Sequence, residues 1–381
     1  MRLPSLRFLI GLGMVIVVGV VAGVLWLRSG QPAAPGPAAP VAITCLGGSE
    51  KSELMADPTV TRVLRERYGL TVDFQHLGSY DQVQLSTDEL KARKIGCLWP
   101  SSSSAQSVFE AGHQGAFAAY RAENVLQSPE VLYAGPRGTE ALVKLGLVEQ
   151  RDNRYYLIDM KALLLDYVLK HRTWDSVGAE GLRGPISVSS TDPAKSNSGF
   201  TLAQLQLAIV ATSDPYAAPN LAQARTALPT MRQIYDAQGL QSRTSETGFR
   251  EWLTQGGEFK APIYAGYENQ VIQQIVRDSS AAGTLLKNIR VLYPDPTIYS
   301  DHPILALDAD SARFIEAMKD PEVQTVAWRS YGFRSAIQLG LSNVADFPDI
   351  PLAEQIRVTP PPAADVTLAL LACVKDAKTC A

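Results

Sequence analysis

The sequence predicts an α/β protein of two lobes, each with a mainly parallel β-sheet flanked by helices. The chain has 381 residues, 46% of them hydrophobic, and this length is too great for one small core. From residue 41 onward, short apolar runs alternate with helical patterns, an order typical of βαβ units with right-handed crossovers. Loops rich in serine and glycine follow several of these runs. In a parallel sheet such loops lie at the carboxyl ends of the strands, where ligands usually bind.

Residues 8–27 form an unbroken run of apolar residues and glycine, which as a helix is about 30 Å long and spans a bilayer core. Arg2 and Arg7 precede the run, so the positive-inside rule favours a cytoplasmic N-terminus. We therefore expect residues 1–28 to anchor the chain in the inner or cytoplasmic membrane, with the body on the extracytoplasmic side, periplasmic or extracellular. Cleavage as a signal peptide is the alternative. Residues 29–40 contain four prolines and no charge, which predicts an extended linker.

Four cysteines follow this apolar run: Cys45, Cys97, Cys373 and Cys380. An even number of cysteines in an exported chain indicates disulfides. Cys45 and Cys97 lie on two apolar runs that we expect to form neighbouring parallel strands, and we predict that they pair. Cys373 and Cys380 are close enough in sequence to pair with each other and hold the C-terminal tail. The histidines show no spacing typical of metal ligands, so no metal is expected; buried free thiols are the alternative to disulfides.

The first part of the body contains three predicted strands and their helices. The strands are VAITCL from residue 41, LTVDFQHL from residue 70 and GCLWP from residue 96. A helix is predicted to begin at Pro58, with Asp57 as its N-cap, and to end at Tyr68. A second helix begins with a capping box of Ser86 and Glu89. A third is predicted within SSSSAQSVFEAG.

The rest of the body repeats this arrangement. Strands are predicted in PEVLYAG, GPISVSS, APIYAGY, NIRVLYPDP and HPILALD. Helices are predicted in RGTEALVKLGLV, within residues 155–178, and in ENQVIQQIV, SARFIEAMKD and PEVQTVAWRSYGF. A polar tail that contains prolines completes the chain.

A polar run precedes an apolar helical pattern in SSTDPAKSNSGFTLAQLQLAIVAT, residues 189–212. A helix N-terminus leaves about four backbone N–H groups without partners and carries roughly half a positive charge, so it stabilises an oxyanion or a carboxylate. Ser196, Asn197 or Ser198 is expected to cap this helix, and Gly199 to let a ligand approach the backbone. Lys195 would add a full charge. The alternative is an ordinary capped helix that follows a turn at Asp192 and Pro193.

Two other loops at strand ends are rich in small donors, and they supply further candidate ligand-binding residues: Ser49, Glu50, Lys51, Ser101, Ser102 and Ser103. Tyr267 and Glu268 belong to YEN, which suits an organic ligand. Asp192 and Glu268 would repel an anion unless a proton is shared or each faces a cationic group. For Glu268 the alternative is a structural place in the first turn of a helix, where it favours the helix dipole.

Composition and motifs exclude several functions. The net charge is −3, and no basic stripe is interleaved with aromatic residues, so nucleic-acid binding is not expected. The chain has no GxSxG, P-loop or HExxH motif, and KSNSG has no SxxK upstream in a helical context. We therefore expect no enzyme activity and no cofactor. A hydrolase site in a cleft is a weaker alternative.

The order of these elements resembles that of the type II periplasmic solute-binding proteins, the class that contains the molybdate, sulfate and phosphate receptors of ABC importers. The resemblance covers residues 41–340 and depends on GGSEKSEL, PSSSS, STDPAKSNSGF, YAGYENQ, VLYPDPTIYSDHPILALD and DPEVQTVAWRSYGF. It implies the two-lobe fold of that class, with crossover strands between the lobes and the ligand between them. Lobe one would then be residues 41–130 with 298–381, and lobe two residues 131–297.

The resemblance implies a membrane-tethered, extracytoplasmic protein that closes two lobes on a small polar or anionic solute, for transport by a membrane permease. The alternative is a sensor or protein-interaction module of the same fold that acts on a membrane signalling partner. The predicted anchor favours this alternative, because receptors of the class usually diffuse freely or carry a lipid.

Overall fold

The structure is a computed structural model, and it describes residues 39–381 with the exception of 153 and 240. Its strands are β1 (Val41–Gly47), β2 (Leu70–His76), β3 (Ile95–Trp99), β4 (Arg121–Ala134), β5 (Val148–Arg151), β6 (Tyr155–Ile158), β7 (Ser190–Thr191), β8 (Gln241–Ser242), β9 (Ile263–Tyr267), β10 (Arg290–Pro294), β11 (Tyr299–Ala306) and β12 (Arg334–Ser335). Short 3-10 helices span Ser49–Lys51, Asp175–Val177, Gly257–Phe259, Leu339–Leu341, Val344–Asp346 and Ala377–Cys380.

The α-helices are α1 (Ser52–Ala56), α2 (Pro58–Tyr68), α3 (Ser79–Val83), α4 (Thr87–Ala92), α5 (Ser103–Gly112), α6 (Pro136–Lys144), α7 (Met160–Ala162), α8 (Asn197–Ala211), α9 (Leu221–Asp236), α10 (Ser245–Thr254), α11 (Glu268–Arg277), α12 (Ala282–Asn288), α13 (Ala309–Met318), α14 (Pro321–Arg329) and α15 (Ala364–Lys375). Among the described residues, none of the helices has the length and apolar character needed to cross a bilayer. The span predicted at residues 8–27 lies outside the described residues, and it stays a prediction.

Ten of the strands form one mixed sheet in the order β2-β1-β3-β11-β4-β10-β6-β5, with β9 and β12 also paired to β4. Strands β1, β2 and β3 are parallel, as predicted. The prediction of mainly parallel sheets is wrong, because β11 is antiparallel to both β3 and β4, and β9, β10 and β12 are antiparallel to β4. Local patterns indicate where a strand lies, but its direction depends on the partner it meets far along the chain.

Strand β4 is 14 residues long and changes partners along its length. Its residues 121–129 pair with β11. Its residues 130–134 pair with β9, and 132–134 also with β10. One continuous strand therefore belongs to two sets of strands, and the chain passes from one set to the other near residue 130.

Local sequence signals set most element ends. The Asp57 carboxylate accepts hydrogen bonds from the N–H groups of Thr59 and Val60 at the start of α2, and Gly69 ends this helix in the left-handed region with φ 62°. The predicted capping box of Ser86 and Glu89 starts α4.

Two segments differ from the prediction. GPISVSS contributes only its last residue, Ser190, to the two-residue strand β7, which pairs with β8. Residues 155–178 contain the predicted helix, but strand β6 precedes it, and α7 continues into a π-helix, Leu163–Val168. Both segments are apolar, and in neither does the apolar pattern alone fix the type of element.

Both predicted disulfides are present. Cys45 lies directly opposite Cys97 in the parallel pair of β1 and β3, with the two Cα atoms 4.5 Å apart. Cys373 at the end of α15 is bonded to Cys380, with a Cα separation of 4.6 Å. The pairing of strands β1 and β3 therefore brings the first two cysteines together, and a short loop joins the other two.

The C-terminal helix α15 belongs to the main hydrophobic core. Its buried residues include Val366 and Leu370, and it packs against both α5 and α9. In the same core the rings of Tyr80 and Phe200 meet edge to face, with centroids 4.5 Å apart. This core therefore joins elements from the beginning, the middle and the end of the chain.

Candidate ligand-binding site

A cavity of about 260 Å³ lies at the carboxyl ends of strands β1, β2 and β3. Because these strands are parallel, the loops that follow them meet at one edge of the sheet. Residues 48–50 after β1, residues 77–79 after β2 and Ser101 after β3 line this side of the cavity. Three of these seven residues are serines and two are glycines, a composition that suits a polar ligand.

Later segments of the chain line the other side. Residues 195–198 at the start of α8, residues 243–245 at the start of α10 and Tyr267 at the end of β9 contribute to it. The three loops singled out in the sequence therefore lie around one cavity. Eight of the candidate residues line it: Ser49, Glu50, Ser101, Lys195, Ser196, Asn197, Ser198 and Tyr267.

Three helices begin at the wall of this cavity. Ser196, Thr244 and Tyr267 are the N-cap residues of α8, α10 and α11, and all three line it. The Ser196 side chain makes no capping hydrogen bond, and within the described chain no acceptor takes the backbone N–H of Asn197 or Ser198. The positive ends of three helix dipoles thus converge on the cavity, which favours a negatively charged group there.

Two polar atoms at the start of α8 have no partner among the described residues: the hydroxyl of Ser198 and the carbonyl oxygen Oδ1 of Asn197. The Asn197 amide nitrogen donates towards the carbonyl of Ser101 at 2.8 Å, the hydroxyl of Tyr267 at 3.0 Å and Oγ1 of Thr201 at 3.1 Å. These acceptors fix the orientation of the amide. A buried polar group without a partner costs about 1–3 kcal/mol, so both atoms favour a bound hydrogen-bonding partner.

Lys51 lies behind the wall rather than on it. Its side chain is fully buried, and Nζ donates hydrogen bonds to Oε1 of Glu50 at 2.5 Å, to Oγ of Ser101 at 2.8 Å and to Nδ1 of His302 at 3.1 Å. Burial acts to raise the pKa of Glu50, but the charge and hydrogen bond of Lys51 outweigh it and hold this pKa below its usual value. Glu50 therefore faces the cavity as a carboxylate that already has its counter-charge.

His302 completes this buried group as a neutral imidazole. Burial and the charge of Lys51 hold its pKa well below the usual value. Because Nδ1 accepts from Lys51, the proton is on Nε2, which lies 3.4 Å from the Ser300 hydroxyl. Ser300 in turn donates to the carbonyl of Ser101 at 2.7 Å. The group thereby fixes the position of Ser101 in the wall.

Among the charged residues that line the cavity, Arg243 differs from the others in its ion pairing. Lys195 forms an ion pair with Asp192 at 3.0 Å, and Glu50 is paired with Lys51. Arg243 is exposed, and none of the ion pairs in the described part of the chain includes it. The lining therefore carries one uncompensated positive charge, on the same side of the cavity as the start of α8.

No family model and no curated protein sequence matches this chain. Several solved structures are similar to it over nearly their whole length. The sulfate-binding protein SubI from Mycobacterium tuberculosis is 13% identical, with a TM-score of 0.50, and the match covers 86% of this chain and 96% of that one. The periplasmic binding protein AfuA from Actinobacillus pleuropneumoniae, with bound fructose-6-phosphate, is 14% identical, with a TM-score of 0.55 and coverages of 90% and 99%. A periplasmic thiamin binding protein is 12% identical, with a TM-score of 0.57 and coverages of 91% and 98%.

The chain has the type II periplasmic-binding-protein fold. At these identities the likeness concerns the fold, and it agrees with the resemblance inferred from the order of the sequence elements. In this periplasmic-binding-protein fold the cavity lies where the sequence motifs predicted a ligand.

Six candidate residues do not line the cavity: Lys51, Ser102, Ser103, Asp192, Gly199 and Glu268. Ser102 caps helix α5 through the N–H of Ala105, and the Ser103 hydroxyl donates to Asp301. The Asp192 carboxylate pairs with Lys195 and accepts hydrogen bonds from the N–H of Ala194 and the hydroxyl of Tyr235. Each of these side chains is engaged in local structure of the periplasmic-binding-protein fold.

Glu268 is a structural residue. Its fully buried carboxylate accepts two hydrogen bonds from Arg334, at 2.7 and 2.8 Å, and one from the hydroxyl of Tyr293 at 2.5 Å. The alternative stated for it, a place in the first turn of a helix, agrees with the structure, because it is the first residue of α11.

Gly199 does not present its backbone to the cavity, so its expected role is wrong. Its N–H donates to Oγ1 of Thr191 at 2.8 Å, and a Cβ at this position would lie 2.1 Å from the Thr191 carbonyl oxygen. Glycine is required here because the start of α8 packs directly on the backbone of strand β7.

We therefore expect Gly199→Ala to lower the free energy of unfolding by about 1–3 kcal/mol, because the Thr191 backbone must move. Gly112→Ala is the matched control, since Gly112 is also helical and has open space around it. That change should be neutral or stabilising by up to about 1 kcal/mol. Urea unfolding followed by circular dichroism measures both. Equal effects of the two changes would contradict the packing role of Gly199.

Sequence reasoning missed eight residues of the lining: Gly48, His76, Leu77, Gly78, Ser79, Arg243, Thr244 and Ser245. The sequence did contain a signal for Arg243, Thr244 and Ser245. RTSETGF has a basic residue and small hydroxyl residues directly before a helix, as KSNSGF does. Of the other residues, His76 ends strand β2, and the rest follow the ends of β1 and β2, as Ser101 follows β3.

Proposed function

We propose that this chain is an extracytoplasmic solute-binding protein that binds a small polar solute with an anionic group. The observation that carries the proposal is the buried hydroxyl of Ser198. It has no partner in the described chain, and Ser198 is one of the residues that line a cavity at which α8, α10 and α11 begin. The unpaired charge of Arg243 supports an anionic group, because it adds a full charge to those of the helix dipoles.

The proposal includes closure of two lobes, residues 41–130 with 298–381 and residues 131–297. The change of partners along β4 near residue 130 supports this division. Residues from both proposed lobes line the cavity. A solute that contacts both lobes would therefore favour the closed state over the open one.

Delivery of the solute to a membrane permease, and tethering through residues 8–27, belong to the same proposal. Two of the similar structures support a binding role, since one is a sulfate-binding protein and another a thiamin binding protein. The two disulfides agree with an oxidising compartment. We further propose that the chain is not an enzyme. The hydroxyl of Ser101 accepts a hydrogen bond from Lys51 and donates one to the carboxylate of Glu50, whose lowered pKa makes it a weak base for activating a nucleophile.

Isothermal titration of the full chain in detergent with sulfate, phosphate and small carboxylates tests the proposal. We expect one of these anions to bind, and Arg243→Ala to weaken that binding at least tenfold, because a hydrogen bond to a charged group contributes about 1.5–3 kcal/mol. Ser198→Ala should also weaken binding without loss of stability.

Arg225→Ala is the control, since Arg225 is exposed on α9 and does not line the cavity. The affinity of the Arg225→Ala variant for the anion should equal that of the unaltered chain. If none of the anions binds, or if Arg243→Ala and Arg225→Ala give the same affinity, the anionic-solute proposal is wrong.

A further inference from the structure

Asn269, the second residue of helix α11, is 1% exposed, and neither polar atom of its side chain has a hydrogen-bond partner among the described residues. Its backbone is engaged, since the N–H donates to the Ser128 hydroxyl at 3.1 Å. Asn269 is one of the residues that line a small cavity of about 40 Å³. A carboxamide that lacks both a donor and an acceptor partner is costly to bury, unless something binds to it.

This small cavity adjoins the larger one described above. Ser49 and Glu50 line both of them, so the two cavities share a wall. The volume of about 40 Å³ exceeds the roughly 10–15 Å³ that one water molecule needs, so a small functional group fits as well. The two cavities can therefore hold two parts of one molecule that passes over Ser49 and Glu50.

The charged residues of the small cavity neutralise one another. Glu53 is paired with Arg277, Glu246 with Arg250, and Glu50 with Lys51. A formal charge on the ligand would therefore have no counter-charge here. Asn269 offers one donor and one acceptor side by side, which matches an uncharged group that both accepts and donates, as a hydroxyl does.

We infer that the small cavity at Asn269 is a second compartment of the binding site. This compartment takes a hydroxyl-bearing part of the same solute. The solute class is then a hydroxylated anion, with its anionic group at the start of α8 and a hydroxyl at Asn269. This inference rests on the proposed function and deepens it, because it assigns a residue and a chemical group that the larger cavity does not include.

Two probe pairs test the inference: inorganic phosphate against glycerol 3-phosphate, and propionate against glycerate, which differ only in the two hydroxyls. Titration of the full chain in detergent should give an affinity at least tenfold higher for the hydroxylated member of the pair that binds. In Asn269→Leu this advantage should disappear, while the affinity for the bare anion stays unchanged. Asn269→Ala, which cannot overfill the cavity, should give the same loss.

A second readout separates a binding role from a structural one. Because both side-chain atoms of Asn269 lack partners, the ligand-free Asn269→Leu protein should melt at the same or a higher temperature than the unaltered chain. Gln206→Leu is the matched control. Gln206 is also buried with an unpartnered amide nitrogen, but it lines neither cavity. This change should leave the affinities for all probes unchanged.

The outcomes distinguish this inference from the proposed function. If no member of either pair binds, and the anions of the wider panel also fail, the proposed function is wrong and the inference with it. If a bare anion binds but its hydroxylated partner binds no better, only the inference is wrong. The same holds if the advantage survives in both Asn269 variants, or if Asn269→Leu melts at a lower temperature and binds every probe normally.

Discussion

Arg334→Leu is expected to lower the free energy of unfolding by about 3–5 kcal/mol, because it leaves a buried carboxylate without its counter-charge. Glu268 is fully buried, and Arg334 supplies two of the hydrogen bonds to its carboxylate. Arg334 also donates to the carbonyl of Ala353 at 2.5 Å. With the bond from Arg334 to the Glu354 carbonyl, the substitution removes a charge and four hydrogen bonds, and the hydroxyl of Tyr293 alone remains on Glu268.

Urea unfolding of the variant, followed by circular dichroism, measures this loss. Arg329→Leu is the matched control, because Arg329 pairs with Asp346 at 3.2 Å but is 64% exposed. An exposed ion pair contributes only about 0–1 kcal/mol, so the control should change little. Adding Glu268→Gln to Arg334→Leu should recover part of the loss, since the uncompensated charge is then gone. Similar losses for Arg334→Leu and Arg329→Leu would contradict the argument from burial.

Removal of the Cys45–Cys97 disulfide by alanine at both positions is expected to lower the free energy of unfolding by about 4 kcal/mol. The bond closes a loop with a sequence separation of 52, and the cost of losing it grows with the logarithm of loop length. The Cys373–Cys380 bond has a separation of 7, so its removal should cost about 2 kcal/mol. Both bonds are buried, which makes the second pair a fair control for the first.

Chemical unfolding of the two double variants measures the difference. Because each bond restrains the unfolded chain, its removal also changes the denaturant slope, so the two losses are compared as free energies of unfolding extrapolated to water and not as midpoints. An equal loss for the two pairs would contradict the dependence on loop length.

The sequence predicted which loops lie around the cavity better than the contacts that their residues make. The three loops could be placed together because parallel strands of the βαβ pattern end at one edge of the sheet. The role of Lys51 could not be predicted, since the direction of its side chain depends on the 3-10 turn Ser49–Lys51 and on the buried acceptors around it. His302, one of those acceptors, lies far along the chain on β11.

The role of Gly199 could not be predicted for a different reason. A glycine at the start of a helix is compatible with ligand approach and with close packing on a neighbouring strand. Only the position of Thr191 decides between them, and it depends on how strand β7 meets helix α8. Arg243, in contrast, followed the same sequence pattern as Lys195, so a search for that pattern along the whole chain would have found it.

The place of β11 in the sheet has a consequence for folding. Strands β3 and β4 are not paired with each other, because β11 lies between them and pairs with both. Until residue 306 has been synthesised, each of these two strands has an open edge, and such edges favour aggregation. The first half of the chain therefore cannot complete its own sheet. Folding has to wait for contacts between residues that are far apart in sequence, which makes it intrinsically slow.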